Sequence, residues 1–325
     1  MYIVVLSLFA FVSIQSAAII KSNVNANSPR TLLAILNSNV MNQDNRNTWV
    51  NAAINKFKFN FEKLQPAQIP EAQLYTYTSG TPVQTQNWEP AKNLKYISFS
   101  HDTPQHINFE TLLSNGNTMF NGKQGGGVYT ILIGGHSVDP ANTLAKVESL
   151  ANELKQKQVK INIVEFPTIS QNRDFALSLF NKAATVTGGS VSHAEEHGKS
   201  FATALDLIHG LDANVKLYRP IAEKVIDDLR PKAVDMAFTV DASLINATIR
   251  AFWIQSGNDA FTGNSVQLHP PKGTAKVDSL DQVPDYKIDG LSTHLNSQEF
   301  IGQWHFVAKT IDTPESLIGI VEVVL

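Results

Sequence analysis

The sequence predicts an α/β protein in which a doubly wound, mainly parallel sheet is followed by an antiparallel β-sandwich. Strand-like and helix-like segments alternate over residues 31–210, which is typical of a parallel sheet covered by helices on both faces. Helical spacing stops near residue 232, where short strand-like runs follow one another between Gly, Pro, Asn and Asp turns. Because the chain has 325 residues, longer than most single domains, we expect two domains with separate cores.

The N-terminal segment has the pattern of a secretion signal. Residues 2–14 are an apolar run of signal-peptide length, and small residues at 16 and 18 favour cleavage after Ala18. We therefore expect a signal peptide at residues 1–18, an unstructured lead-in rich in Asn and Ser at 19–30, and secretion of the mature chain. The alternative is a buried N-terminal strand or helix, since no positive charge stands near Met1.

The composition excludes several classes of function. The chain has no cysteine, which excludes disulfides, thiol catalysis and Cys-ligated zinc. Its formal net charge is -3 and its Lys and Arg residues are scattered, so we expect no nucleic-acid partner. The apolar run at 317–325 is much shorter than the roughly 20 residues of a membrane helix, and it contains Glu322. It predicts a final β-strand and no membrane span.

The first domain is predicted at residues 31–210. It begins with a strand at 31–36, followed by a helix whose apolar residues recur every three to four positions, namely Trp49, Ala53, Ile54, Phe57, Phe61 and Leu64. Further strands are predicted at 74–78 and 94–99. The next unit is a strand at 128–133, a helix from Asp139-Pro140 to about Lys157, and a strand at 159–166. A second such repeat has helices at 174–184 and 199–209 around a strand at 190–193.

The second domain is predicted at residues 232–325. Residues 211–231, with Pro220 and Pro231, are predicted to be a linker. The predicted strands of the sandwich are 234–240, 248–255, 266–269, 286–288, 302–309 and 316–325.

Residues 31–210 resemble a von Willebrand factor A (vWA) domain. The resemblance rests on the strand and loop at 32–41, the helix at 49–64, the strand at 129–135, the helix and strand at 144–166, and the segment 183–189. With the following sandwich, the arrangement is similar to the calcium-activated chloride channel regulators and to the start of hemicentin. The resemblance implies a Rossmann-type sheet and an extracellular binding function.

The resemblance also implies that the metal site of that family is degenerate here. In the family, an Asp-x-Ser-x-Ser loop, a Thr and a second Asp hold a divalent cation through oxygen atoms. Here the loop aligns as Leu36-Asn37-Ser38-Asn39-Val40, so Ser38 alone matches, and Ile133-Gly134-Gly135 stands where the second Asp is expected. An alignment shift that places Asn37 at the first Asp position keeps an oxygen but no charge. We expect no tight metal site and no cofactor.

The expected function is therefore non-enzymatic binding of an extracellular protein or matrix component. The loops at the carboxyl ends of the parallel strands would carry it, because open α/β sheets bind ligands there. The predicted contact residues are Asn37, Ser38, Asn39, Gly134, Gly135, His136 and Ser137. A structural secreted protein without a discrete partner is an alternative that the sequence does not separate from this one.

Two motifs suggest enzymatic chemistry. His193-Ala-Glu-Glu196-His197 matches the His-x-x-Glu-His form of an inverted zinc protease, so a zinc-dependent hydrolase using these residues is an alternative function. Gly198 would break the helix that such a site needs, and a solvated loop is the expected structure. The segment from Gly135 to Asp139 resembles a nucleophile elbow around Ser137, but Asp139 replaces the final glycine, so we expect no hydrolase there.

One N-glycosylation sequon is present, Asn246-Ala247-Thr248. In a secreted chain this asparagine would lie on a surface turn.

Overall fold

The computed structural model describes residues 30–36, 46–61, 69–78, 81–84, 87–95, 108–123, 125–134, 138–166, 173–193, 208–209, 218–226, 233–255, 266–279, 288–309 and 317–324. The predicted signal peptide lies outside these residues. Of the predicted lead-in, only Arg30 is described, and it is the first residue of a strand rather than part of an unstructured segment.

The first half of the chain forms a mainly parallel sheet. Its strands are β1 (Arg30–Leu36), β2 (Glu71–Thr78), β3 (Thr81–Gln84), β4 (Glu89–Pro90), β5 (Gly127–Gly134), β6 (Val159–Phe166) and β7 (Val191–His193). They are ordered β3-β2-β1-β5-β6-β7, and β4 also pairs with β2. Strands β2, β1, β5, β6 and β7 run parallel, whereas β3 and β4 are antiparallel to β2. The predicted fold class of this half is confirmed.

Helices cover both faces of this sheet. They are α1 (Arg46–Phe59), α2 (Phe109–Met119), α3 (Leu144–Gln156) and α4 (Arg173–Thr187). Successive residues of β1 show why two layers are needed, since residues 31–35 are all buried and side chains alternate between the faces of a strand. Leu32 packs in the core that contains residues of α2, α3 and α4. Leu33 packs in the core that contains residues of α1.

Two helices of this layer differ from the sequence prediction. α3 begins at Leu144, where the Thr143 side chain accepts the Lys146 N–H at 3.2 Å. The predicted start at Asp139-Pro140 is wrong, because the Asp139 carboxylate instead closes a turn by accepting the Ala141 N–H at 2.9 Å. α2 was not predicted at all, and its start is marked by Asn108, whose side chain accepts the Thr111 N–H at 2.8 Å.

The second half forms an antiparallel sandwich. Its strands are β8 (Tyr218–Ile226), β9 (Ala233–Val240), β10 (Thr248–Gln255), β11 (Val266–His269), β12 (Asp278–Ser279), β13 (Ile288–His294), β14 (Gly302–Lys309) and β15 (Leu317–Val324). One sheet has the order β12-β13-β10-β15-β8 and the other β11-β14-β9. Trp253 and Phe306 stack between them with ring centroids 5.1 Å apart. The predicted sandwich is confirmed, as is the final strand.

Strand β8 lies inside the segment 211–231 that the sequence assigned to a linker. It pairs with β15 as the edge strand of the five-stranded sheet, so the sandwich begins earlier in the chain than residue 232. Pro220, which suggested a linker, is tolerated at an edge because a proline there costs no ladder hydrogen bond. The register shifts beside it, between Val321 and Glu322, as in a β-bulge.

Helix α1 joins the two halves. All residues from Val50 to Phe57 are buried, whereas the sequence predicted an amphipathic helix with one solvent face. The second face is covered by the sandwich, whose Phe252, Ile254, Ile318 and Ile320 pack in the same core as α1. The two predicted domains therefore share a hydrophobic core in addition to their own.

A buried polar network crosses this junction. Glu322 of β15 accepts the Lys56 ammonium at 2.9 Å and the Arg250 Nε at 2.9 Å. Asn60 Oδ1 accepts both cations as well, from Lys56 Nζ at 2.9 Å and Arg250 Nη2 at 3.0 Å. The Arg250 guanidinium lies 3.6 Å from the ring centroid of Tyr218, whose hydroxyl donates to the Asn60 carbonyl oxygen at 2.8 Å. The α/β half thus supplies Lys56 and Asn60, the sandwich supplies Arg250 and Glu322, and these buried polar groups pair across the junction.

Candidate functional site

The carboxyl ends of the five parallel strands, β2, β1, β5, β6 and β7, meet at one edge of the sheet. In register, Gly134 at the end of β5 lies opposite Phe166 at the end of β6, and Glu165 lies opposite His193 at the end of β7. We call this the carboxyl edge. Of the predicted contact residues, Gly134 is described and lies there. The other six, Asn37, Ser38, Asn39, Gly135, His136 and Ser137, lie outside the described residues, so their role stays a prediction.

The described part of the carboxyl edge contains a buried carboxylate. The Glu165 side chain is 0% exposed, and it belongs to the face of β6 that also carries Ile161 and Ile163. Its Oε1 accepts Arg173 Nε at 3.1 Å, and its Oε2 lies 2.6 Å from His193 Nδ1. A carboxylate removed from water needs such partners, because an unpaired buried charge is costly.

This pairing fixes two side chains at the surface of the edge. Since a carboxylate can only accept, the His193 ring donates through Nδ1, and Nε2 lies on the far side of the imidazole. The His193 side chain is 48% exposed and that of Arg173 is 28% exposed. Glu165 therefore serves as a buried anchor that orients an imidazole and a guanidinium toward the surface.

Glu165 was not among the residues that the sequence singled out. The sequence pattern of β6 could have revealed it. Val159, Ile161 and Ile163 occupy alternate positions, and Glu165 is the next residue on the same apolar face of the strand. A carboxylate on the buried face of a strand indicates an internal group that is paired with a cation or a hydrogen-bond donor. Arg173 and His193 could not be matched to it, because their proximity depends on the parallel pairing of β6 and β7.

The two sequence motifs with enzymatic resemblance have different outcomes. His193 is the last residue of a strand, and Glu196 and His197 lie outside the described residues. Across the described part of the chain, no group of three or more His, Cys, Asp or Glu side chains could hold a metal ion. At the elbow-like segment, a turn at residues 139–142 separates the strand from α3, whereas an elbow leads directly from its serine into a helix.

The sequon lies on the sandwich. Asn246 is exposed in a turn and has a φ of 71°, a left-handed conformation that asparagine tolerates better than most residues. Its backbone N–H donates to the Leu295 carbonyl at 2.7 Å, which leaves the side chain at the surface. Glycosylation of this asparagine stays a prediction.

Within the ranges that the structure describes, no helix is long and apolar enough to cross a membrane.

Comparison with known proteins gives structural likeness only. No protein-family model matches the chain, and no curated protein matches its sequence. Similar solved structures include the human COPII-coat protein Sec24c, at 9% identity and a TM-score of 0.43, covering 92% of this chain and 44% of that one. The pilus adhesin SpaC from Lactobacillus rhamnosus GG is similar at 10% identity and a TM-score of 0.45, with the same two coverages of 92% and 44%.

The SpRpn10 VWA domain is similar over 51% of this chain and 87% of its own length, at 15% identity and a TM-score of 0.38. The chain thus spans less than half the length of Sec24c and of SpaC. At these identities a likeness bears on the fold alone, and the strand order and helix layers described above carry the fold class. The α/β half of this chain is vWA-like in fold.

Proposed function

We propose that this chain is an extracellular, non-enzymatic interaction module that binds another extracellular protein or a matrix component through the carboxyl edge. The observation that carries the proposal is that the carboxyl ends of five parallel strands lie together at that edge. Ligands of open α/β sheets bind outside the carboxyl ends of the strands, so this edge is the preferred surface. The apolar N-terminal run and the sequon at Asn246 support an extracellular location.

The anchored pair at this edge supports a binding role. Arg173 and His193 are held by a carboxylate that is fully buried, so both lose little side-chain entropy when a partner contacts them. The proposal includes no catalytic step. The loop residues Asn37, Ser38, Asn39, Gly135, His136 and Ser137 complete the proposed surface.

The test is capture of a partner from extracellular material by the tagged, secreted chain, with and without a chelator. We expect capture in both conditions, and its loss in the double variant Asn39→Ala/His136→Ala. A matched control removes the same side-chain types elsewhere, at Asn152 of α3 and His269 of β11, both exposed. Equal capture by the edge variant and the control would show that the partner binds another surface.

A zinc-dependent hydrolase is the second candidate, and one observation favours it. A histidine whose Nδ1 donates to a carboxylate presents Nε2 as a ligand atom, as in many zinc sites, and His193 has this arrangement with Glu165. Glu196 and His197 would have to complete the site. Elemental analysis of the purified chain tests this candidate. Stoichiometric zinc that is lost in His193→Ala would favour the hydrolase, whereas a protein without zinc would reject it.

A further inference from the structure

The turn after α2 brings an exposed Asn-Gly pair into contact with a lysine. Asn121 and Gly122 follow the end of α2 and are both exposed. Lys157, at the end of α3, donates to the Asn121 side-chain carbonyl oxygen at 2.8 Å and to the Asn117 backbone carbonyl at 2.6 Å. The ammonium is therefore fixed against the asparagine side chain by a second bond to the backbone.

We propose that Asn121 is a site of spontaneous deamidation and that Lys157 promotes the reaction. The Gly122 backbone nitrogen gives its proton to solvent and attacks Cγ of Asn121, so that a new C–N bond forms. The bond from Cγ to Nδ2 then breaks, and ammonia leaves with a proton. Solvent water opens the resulting succinimide at either carbonyl, which yields an aspartate or an isoaspartate. Water is the only co-reactant, and no oxidation or reduction occurs.

Lys157 acts on the atom where charge develops. As the nitrogen attacks Cγ, negative charge collects on Oδ1, and a positioned donor at that atom lowers the barrier. Glycine suits the attacking position because it has no side chain and because Gly122 has a φ of 69°, which only glycine adopts freely. Within the described part of the chain, the Gly122 amide makes no backbone hydrogen bond that would have to break first.

The chain contains its own control, a second Asn-Gly pair at Asn115 and Gly116. That pair lies inside α2, where the Gly116 nitrogen belongs to the helical hydrogen-bond ladder. Gly116 also packs directly against the Tyr129 ring, since a methyl group built on it would lie 2.4 Å from Cε1. The nitrogen of Gly116 cannot turn toward the Asn115 side chain without unwinding the helix, so we expect this asparagine to persist.

The product gains a negative charge beside an ammonium. The hydrogen bond from the Lys157 ammonium to a neutral amide oxygen becomes an ion pair with a carboxylate, which favours the product over the amide. The site lies near the amino ends of β5 and β6, which begin at Gly127 and Val159. It is therefore at the opposite edge of the sheet from the proposed partner surface.

The experiment keeps the purified full chain at mildly alkaline pH and physiological temperature and follows peptide masses over time. Fragment ions that separate residue 115 from residue 121 report where an amide has become an acid. We expect conversion at Asn121 and retention at Asn115. Equal conversion at both residues, or retention of both amides, would overturn the proposal.

The role of Lys157 is tested with Lys157→Met, and Lys155→Met is the matched control on the same helix, where Lys155 is exposed. We expect conversion at Asn121 to slow several-fold in the first variant and to match the wild type in the second. A variant that merely loosened the turn would deamidate faster, so slowing identifies loss of the promoting group. An unchanged rate in Lys157→Met would reject the part of the proposal that concerns this lysine.

Discussion

Glu322 illustrates at the residue scale how one buried charge depends on both halves of the chain. Burial alone would raise the pKa of its carboxyl group, but the charges of Lys56 and Arg250 outweigh burial and hold that pKa below the ordinary value of 4.5. The carboxylate is thus ionised in the folded protein because its partners come from α1 and β10. Removing it would leave two cations in a site closed to water.

We predict that Glu322→Gln lowers the free energy of unfolding by about 3–5 kcal/mol, the usual cost of removing one member of a buried ion pair. Lys56→Met should cost less, because Arg250 still pairs with Glu322 and the methionine fills a similar volume. Chemical denaturation of both variants measures the difference. A larger loss in Lys56→Met than in Glu322→Gln would contradict this account of the network.

The Glu322 carboxylate also predicts that the stability of the protein depends on pH. Because its pKa is lower in the folded than in the unfolded chain, Glu322 contributes stability above about pH 4.5, and this contribution is lost as the pH falls through the folded-state pKa. We expect the free energy of unfolding to fall below pH 4.5 with a slope that is reduced in Glu322→Gln. Glu153→Gln, an exposed site on α3, should retain the wild-type slope. Equal slopes in all three proteins would remove Glu322 as a cause.

At the scale of elements, α2 packs on β5 through a glycine. Tyr129 of β5 is buried and held in place, since its hydroxyl donates to the Leu112 carbonyl at 2.9 Å and contacts the Tyr75 hydroxyl. Burial, with the neighbouring tyrosines, raises its pKa well above 10.0, so this phenol stays neutral up to strongly alkaline pH. The ring therefore has little freedom to retreat from Gly116.

We predict that Gly116→Ala destabilises the protein, although the same change in an exposed helix stabilises by about 1 kcal/mol. The added methyl group would lie 2.4 Å from Tyr129 Cε1, which requires α2 to move away from the sheet. Ser114→Ala, an exposed site on the same helix, is the control and should change stability little. A higher melting temperature in Gly116→Ala would show that α2 adapts.

The elements that could be predicted from the sequence are those whose local pattern agrees with their final environment. β5, β6 and β15 are continuous or alternating apolar runs, and burial in a sheet is what such runs require. α2 could not be predicted, because Asn115, Gly116 and Asn117 are poor helix formers that tertiary packing overrides. β8 was missed because its proline is compatible with a strand only at a sheet edge, and edge position is a property of the whole sheet.

The candidate site could be predicted in part for the same reason. The alternation of strands and helices predicts a parallel sheet and therefore which strand ends form the carboxyl edge. The position of this edge in the chain could thus be predicted from the sequence. The anchored cluster was not, since Glu165, Arg173 and His193 meet only through the pairing of β6 with β7 and the position of α4. Local patterns locate an edge, whereas its side-chain contacts depend on long-range packing.

At the scale of the whole molecule, the core around α1 should make unfolding cooperative across both halves. Phe252 and Ile320 of the sandwich pack in the same cluster as Leu33 and Phe57 of the α/β half. Such shared burial couples the two stabilities, in contrast to domains that meet at a small polar interface.

We predict that Ile320→Ala lowers the stability of both halves, by about 2–5 kcal/mol for the loss of a fully buried isoleucine side chain. Hydrogen exchange should rise in β5 as well as in β14, although Ile320 belongs to neither strand. Val240→Ala, a buried change in the three-stranded sheet away from α1, is the comparison and should affect the sandwich first. Protection of β5 that is unchanged in Ile320→Ala would show that the halves unfold independently.

Because α1 is buried from Val50 to Phe57, changes in the sequence of one half are limited by the other half. A substitution on α1 must suit the parallel sheet and the sandwich at once, and recombination within residues 211–231 would place this helix against a foreign sheet, with Lys56 facing no matched carboxylate. The halves are therefore expected to be inherited and exchanged as one unit, even though each has the fold of a separate domain.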